Sequence, residues 1–178
     1  MLYDNALLIL VYCKAYELTG RPFYLEVAQK TASYVLSEMT SPNGGFYSAQ
    51  DADSDGEEGK YYVFTPEEII GLLGQADGAA FCERFGITKA GNFKGKSIPN
   101  LLHAKDLTDE RFDPFLPALR EYRRGRTHLH TDDKILTAWN ALMIAALCRL
   151  HRCSRNPRYL EAAKEAQGFI ENLSLIHI

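Results

Sequence analysis

The sequence predicts an all-α protein: residues 1–172 read as a partial α/α toroid or helical array of inner and outer hairpins, interrupted by one small β-hairpin-like acidic loop. Three observations predict this. The chain matches itself without a gap at an offset of 135 positions, its long segments carry apolar residues at helical spacing, and prolines and glycines punctuate their ends. The offset aligns Asn5-Ala6-Leu7 with Asn140-Ala141-Leu142, Ile9 with Ile144, Cys13 with Cys148, Pro22 with Pro157, and Tyr24-Leu25-Glu26 with Tyr159-Leu160-Glu161. One helical hairpin is therefore present twice.

In each copy the first helix, Leu2 to Leu18 or Ile135 to Cys153, is apolar over much of its circumference and must be covered on several faces. The second is one-sided, with Leu25, Ala28, Ala32, Val35, Leu36 and Met39 on one stripe, and belongs outside. Pro22 and Pro157 stand near the first position of these outer helices, where a missing N–H costs little. Between the copies, Lys60 to Phe64 has β character and is expected to pair with Gly45 to Ser48. Thr65-Pro66-Glu67-Glu68 is a capping box that opens a short helix through Leu73. A second short helix is expected from Ala79 to Phe85, stopped by Gly86, followed by a loop from Asn92 to Lys105. Leu116 to Arg124 reads as helical and ends in the basic cluster Arg120, Arg123, Arg124 and Arg126.

The same alignment speaks to the ends. It places the helix start near Asp133 at a position before Met1, so the first helix begins part-way along and Met1 reads as an internal residue. Residues 173–178 break the polar-faced pattern of the outer helix and read as a non-native tail.

Composition narrows the function classes. At 178 residues and 46% hydrophobic, the chain is about one domain long and can bury a core. A net charge of −3 gives no whole-chain attraction to nucleic acid or an anionic membrane, and neither is expected as a partner. The longest apolar run, Ala6 to Cys13, is far short of the ~20 residues that cross a bilayer. Cys13, Cys82, Cys148 and Cys153 form no C-x-x-C pair and read as reduced thiols, which points to the cytoplasm. No nucleophile elbow, phosphate loop or dinucleotide fingerprint occurs, His103 lacks a ligand-spaced partner, and no cofactor or metal is expected.

Chemistry is concentrated in residues 44–60, where five carboxylates, four glycines and two aromatics lie between helical patterns. Asp51 and Asp53 stand two apart; in an extended segment they would share a side, and repulsion would raise one into a general-acid range. The alternative is a solvated charged turn. Asp51-x-Asp53-x-Asp55-Gly56 also resembles the first half of a calcium loop, but Tyr62 holds the twelfth place where a bidentate glutamate is needed. In an array of this topology, the loop after an outer helix meets the start of the next inner helix. That gathers Tyr3, Asp4, Asn5, Phe46, Tyr47, Gln50, Asp133, Lys134, Trp139 and Asn140 at one mouth with the acidic loop. Asp133 joins Asp51 and Asp53 as a candidate acid/base group; otherwise Asp132, Asp133 and Lys134 are capping charges. Phe46, Tyr47 and Trp139 offer flat faces to a sugar ring, or, for Trp139, simply pack in the core. His128 and His130 beside the arginines either steer an anion or end a solvated helix.

Met1-Leu2-Tyr3-Asp4-Asn5-Ala6-Leu7-Leu8, the run Gly44 to Ser54 with Gly56-Glu57-Glu58-Gly59-Lys60, Asn92-Phe93-Lys94-Gly95-Lys96, and Asp132 to Asn140 together closely resemble the thioredoxin domain-containing proteins related to spermatogenesis-associated protein 20. The likeness runs from Met1 to about Asn172. It implies an N-terminal thioredoxin-like domain, absent here, followed by an (α/α)6 toroid similar to N-acylglucosamine epimerases and six-hairpin glycosidases. Redox activity of that missing domain does not carry over. Ala141 stands where the family usually has glycine, and Leu107 to His130 is short and divergent. The resemblance thus implies a fragment of a carbohydrate-active toroid, hydrolase or epimerase in type. A rival is a non-catalytic binding or scaffold module serving the thioredoxin-like domain.

Overall fold

Proline and threonine at segment starts set the helix boundaries in the computed structural model, which describes residues 1–104, 106–107 and 109–174. In chain order the elements are α1 (Leu2–Thr19), α2 (Pro22–Glu38), β1 (Ala49–Gln50), β2 (Asp53–Ser54), β3 (Glu57–Glu58), α3 (Pro66–Leu73), α4 (Gln75–Arg84), a 3-10 turn (Asp113–Phe115), α5 (Leu116–Arg126), β4 (Thr131–Asp132), α6 (Thr137–Ser154) and α7 (Pro157–Ser174). The protein is mostly helical. The expected tail at 173–178 lies outside the described residues from 175 onward. The chain divides into a helical unit, residues 1–50 with 131–178, and an inserted unit, residues 51–130.

In the helical unit, α1 packs against α2 and α6, and α6 packs against α7. The interface is built from side chains at helical spacing: Leu2, Ala6, Ile9 and Cys13 of α1 lie in one buried cluster with Met143, Ala146, Leu147 and Leu150 of α6. Ala28, Ala32 and Val35 of α2 and Tyr159, Ala163 and Ala166 of α7 close its outer sides. Full burial of each large apolar side chain stabilises by about 1.5 to 3 kcal/mol, so this seam holds the unit together. Among the described residues, α1 makes its main contacts with α2 and α6. Leu7, Leu8, Val11 and Leu18 remain exposed, where an all-round apolar helix calls for further cover.

The second start differs from expectation by two residues: α6 begins at Thr137 after an extended Leu136, and residues 131–132 form an antiparallel ladder with β1, Ala49 opposite Asp132 and Gln50 opposite Thr131. Near that ladder the backbone of Gly45 passes so close to the helices that an added Cβ would sit 2.8 Å from the Phe169 ring and 3.0 Å from Ile135.

The inserted unit packs α3, α4 and α5 around Phe64, Ile69, Phe81, Cys82, Ile87, Phe112 and Leu119. Its capping box forms as the sequence predicts: Thr65 Oγ1 accepts from Glu68 N–H, and the Glu68 carboxylate accepts from Thr65 N–H at 2.8 Å. α4 starts at Gln75, four residues earlier than expected. Gly78 lies inside it; a Cβ there would lie 2.7 Å from Ile70 Cα, so the glycine lets α3 and α4 touch.

The expected pairing of Gly45–Ser48 with Lys60–Phe64 is corrected. Phe46 bridges Thr40, and Phe64 bridges Ser97. The acidic segment forms its own hairpin instead, β2 against β3, with Ser54 opposite Glu57. Its two-residue turn, Asp55-Gly56, has φ of +51° and +77°, the left-handed pair that matches strand twist.

Candidate functional site

At the leading end of the helical unit, the loop after α2 is fixed by buried polar groups. The side chain of Asn140 in the first turn of α6 accepts from Phe46 N–H at 2.8 Å, and its amide donates to Phe46 O at 2.9 Å and to Leu136 O at 3.1 Å. Both residues are buried, Phe46 at 1% exposure and Asn140 at 0%. Of the expected ligand contacts, Phe46 and Asn140 are thus buried, and both Asn140 amide hydrogens bond within the fold. Ser48 continues the clamp, donating N–H to Asp132 O at 3.2 Å and accepting from Leu2 N–H at 2.8 Å. Gln50 is also engaged, accepting from the Tyr34 hydroxyl at 2.6 Å and donating to Glu38 O at 3.4 Å.

Other candidate residues of this unit stay accessible. Tyr3 and Trp139, both half-buried, meet edge to face with ring centroids 4.9 Å apart. Asp4 and Asp133 are exposed, and Tyr47 and Asn5 are half-buried. Lys134 is exposed and bonds Asp132 at 3.0 Å; its ammonium, then its backbone N–H, hold the Asp132 carboxyl below the usual carboxylate range. A groove of about 670 Å³ in this unit runs between Pro42–Gly44 and α7, and no candidate site residue lines it.

In the inserted unit, Asp51 and Asp53 do not act as neighbours on one strand. Asp51 precedes the hairpin, its N–H donating to His130 O at 3.0 Å and its carboxylate 3.1 Å from His130 Nδ1, while Asp53 lies in β2 opposite Glu58. Both carboxylates are exposed. His130 as the partner of Asp51 was hidden by the long sequence separation. Asp55 is held by the Lys60 ammonium at 2.8 Å and the Thr127 hydroxyl at 2.6 Å; Lys60 first, then Thr127, depress its pKa. Engaged in a turn this way, Asp55 follows hairpin geometry rather than that of a calcium loop. Among the described residues, no group of three or more His, Cys, Asp or Glu side chains is arranged to hold a metal ion. Nor is any described helix long and apolar enough to cross a membrane.

No family model matches the chain. Spermatogenesis-associated protein 20 of Homo sapiens is 33% identical over 181 residues, taking in 82% of this chain and 23% of that protein. The Mus musculus protein of the same name is 32% identical over the same shares. An uncharacterised protein of Caenorhabditis elegans is 28% identical over 207 residues, 96% of this chain and 28% of its own length. The chain is homologous to spermatogenesis-associated protein 20, and it spans about a quarter of the length of these relatives.

Proposed function

From this homology as premise, we propose that the chain is a segment of an (α/α)6 toroid of carbohydrate-active type, hydrolase or epimerase, in a longer cytoplasmic protein with a thioredoxin-like domain. The observation that carries the reading is the Tyr3–Trp139 pair, a partly open aromatic surface on the leading turns of the two repeat-related helices, with the Asp4 and Asp133 carboxylates exposed in the same turns and their lead-in. Such surfaces suit sugars, whose C–H faces stack on aromatic rings while their hydroxyls bond to carboxylates. Asp133 is the acid/base candidate of the helical unit. Asp51, 3.1 Å from His130 Nδ1, and Asp53 are those of the inserted unit. Four free cysteines support the cytoplasmic placement.

Calorimetry of the intact protein against a panel of saccharides tests this. Binding that Trp139→Ala abolishes supports it, and turnover that survives Asp51→Asn removes Asp51 from the chemistry. A second reading, a non-catalytic scaffold for the thioredoxin-like domain, draws on the internal use of Gln50, Asn140 and Asp132, which leaves few polar groups for a ligand. Protein binding without any saccharide response would favour it.

A further inference from the structure

We propose that the inserted unit holds a binding site for a small carboxylate with an apolar body, seated in the cavity between α3, α4 and α5 with its charged end against Arg120 and Arg123. The proposal is independent of the saccharide reading and concerns a different part of the chain.

The cavity follows from how this unit packs. Phe64, Ile69, Phe81 and Leu119 are buried in its core, yet a space of about 170 Å³ remains between them and Phe85 and Pro99. An engineered apolar cavity of about 150 Å³ takes up a benzene ring, so the space suits a single aromatic ring or a short branched chain. Among the side chains that line it, only Arg120 and Arg123 carry polar atoms. A saccharide is disfavoured there, because its hydroxyl hydrogens would find no side-chain acceptor.

The sequence sets the two guanidiniums beside the apolar wall. Leu116, Leu119, Arg120 and Arg123 fall at i, i+3, i+4 and i+7 of α5, so one helix face lines the cavity with hydrocarbon and with cation together. Two other arginines of the unit are answered within it: Arg126 pairs with Glu68 at 2.9 Å and Arg111 with Asp109 at 2.7 Å. Arg120, exposed, and Arg123, half-buried, meet no such carboxylate among the described residues. Arg123 is held instead by the Tyr61 ring, its guanidinium carbon 4.4 Å from the ring centroid, and its buried Nε bonds no acceptor among the described residues. The helix dipole accounts for cations in the last turn of α5, at Arg123, Arg124 and Arg126, but not for Arg120 a turn earlier.

Like charges at i, i+3 repel, and a bound carboxylate replaces that repulsion with charge-assisted hydrogen bonds. A side chain from another protein segment would fill the hydrocarbon space but bring a neutral backbone to the two cations. Charge complementarity therefore favours a free small molecule.

The test is ligand-observed fluorine NMR on the intact protein and on this chain, with para-fluorophenylacetate as the probe and para-fluorophenylacetamide as its uncharged counterpart. The carboxylate should bind both proteins at least about 10-fold more tightly than the amide, as expected for ionised over neutral hydrogen bonding. Arg120→Gln alters an exposed side chain, and should bring the two affinities within about 2-fold by weakening the carboxylate alone. Retained amide binding in that variant shows the cavity intact. Leu116→Trp, which adds bulk at a half-buried lining position, should abolish binding of both probes. Equal affinity for the two probes overturns the proposal, as does carboxylate binding that survives either substitution unchanged. Absence of binding at millimolar probe overturns it too. Binding to this chain but not to the intact protein would give the cavity to a segment of the longer polypeptide and overturn it likewise.

Discussion

Two loops of this molecule are held in opposite ways. Residues 40–50 of the helical unit are fixed from inside, by the buried Asn140 amide and the Phe46 backbone. The acidic hairpin of the inserted unit is fixed at its surface, by Lys60–Asp55, Lys94–Glu58 and Lys96–Glu57 pairs, none of them buried. A buried hydrogen bond is costly to break because the abandoned partner cannot reach water, whereas an exposed ion pair is worth ~0 to 1 kcal/mol and weakens with salt. The first loop is therefore a rigid part of the scaffold, and the second a responsive element.

That contrast is broken most severely by Asn140→Leu, which strands the N–H and C=O of Phe46; a loss of about 2 to 5 kcal/mol is expected in chemical denaturation. Gly45→Ala should follow at about 1 to 3 kcal/mol by the same measurement, because the added methyl meets Phe169 and Ile135. In the inserted unit, Gly56→Val places a β-branched residue at φ +77° and should cost about 1 to 2 kcal/mol, read as faster amide exchange in β2 and β3. Thr65→Ala, which removes the cap of α3, should cost about 1 kcal/mol.

Acid sharpens the comparison at the smallest scale. Asp55 titrates below the ordinary carboxylate range, so its contribution is present above the unfolded value of about 4 and is lost as pH falls through the folded one. Glu68 behaves alike: burial raises its pKa, but the Thr65 N–H, Arg126 and Tyr122 together more than offset that. The Asn140–Phe46 clamp contains no titratable group. Amide exchange should therefore quicken in the hairpin as pH falls from about 5 to 3, after correction for intrinsic rates, while Phe46 N–H stays protected. Raising salt from 0.05 to 0.5 M, an order-of-magnitude step in ionic strength, should loosen the hairpin and leave the clamp alone.

The helices were legible because their signals are local: periodic apolar residues, proline at the first turn, and the Thr65–Glu68 box each act within a few positions. The Asp55-Gly56 turn was equally local and went unread behind the surrounding acids, although a two-residue Asp-Gly is a strong hairpin signal. The early start of α4 at Gln75 was not legible, since the contact of Gly78 with Ile70 belongs to packing and not to the chain's own conformation. The β1–β4 ladder and the Asp51–His130 pair join segments far apart in sequence. No short-range pattern marks such partners, so the sequence offers Asn140 and Phe46 as ligand contacts without showing that they bond to each other.

The β1–β4 ladder has one more consequence. The chain leaves the helical unit at Gln50 and re-enters it at Thr131, and these two residues are opposite one another on paired strands. Such a gate is a natural graft point: the exit and the return already form the stem of a tight turn, so a far shorter connection could close it. A bare Asn-Gly in place of residues 51–130 should still let α1, α2, α6 and α7 assemble.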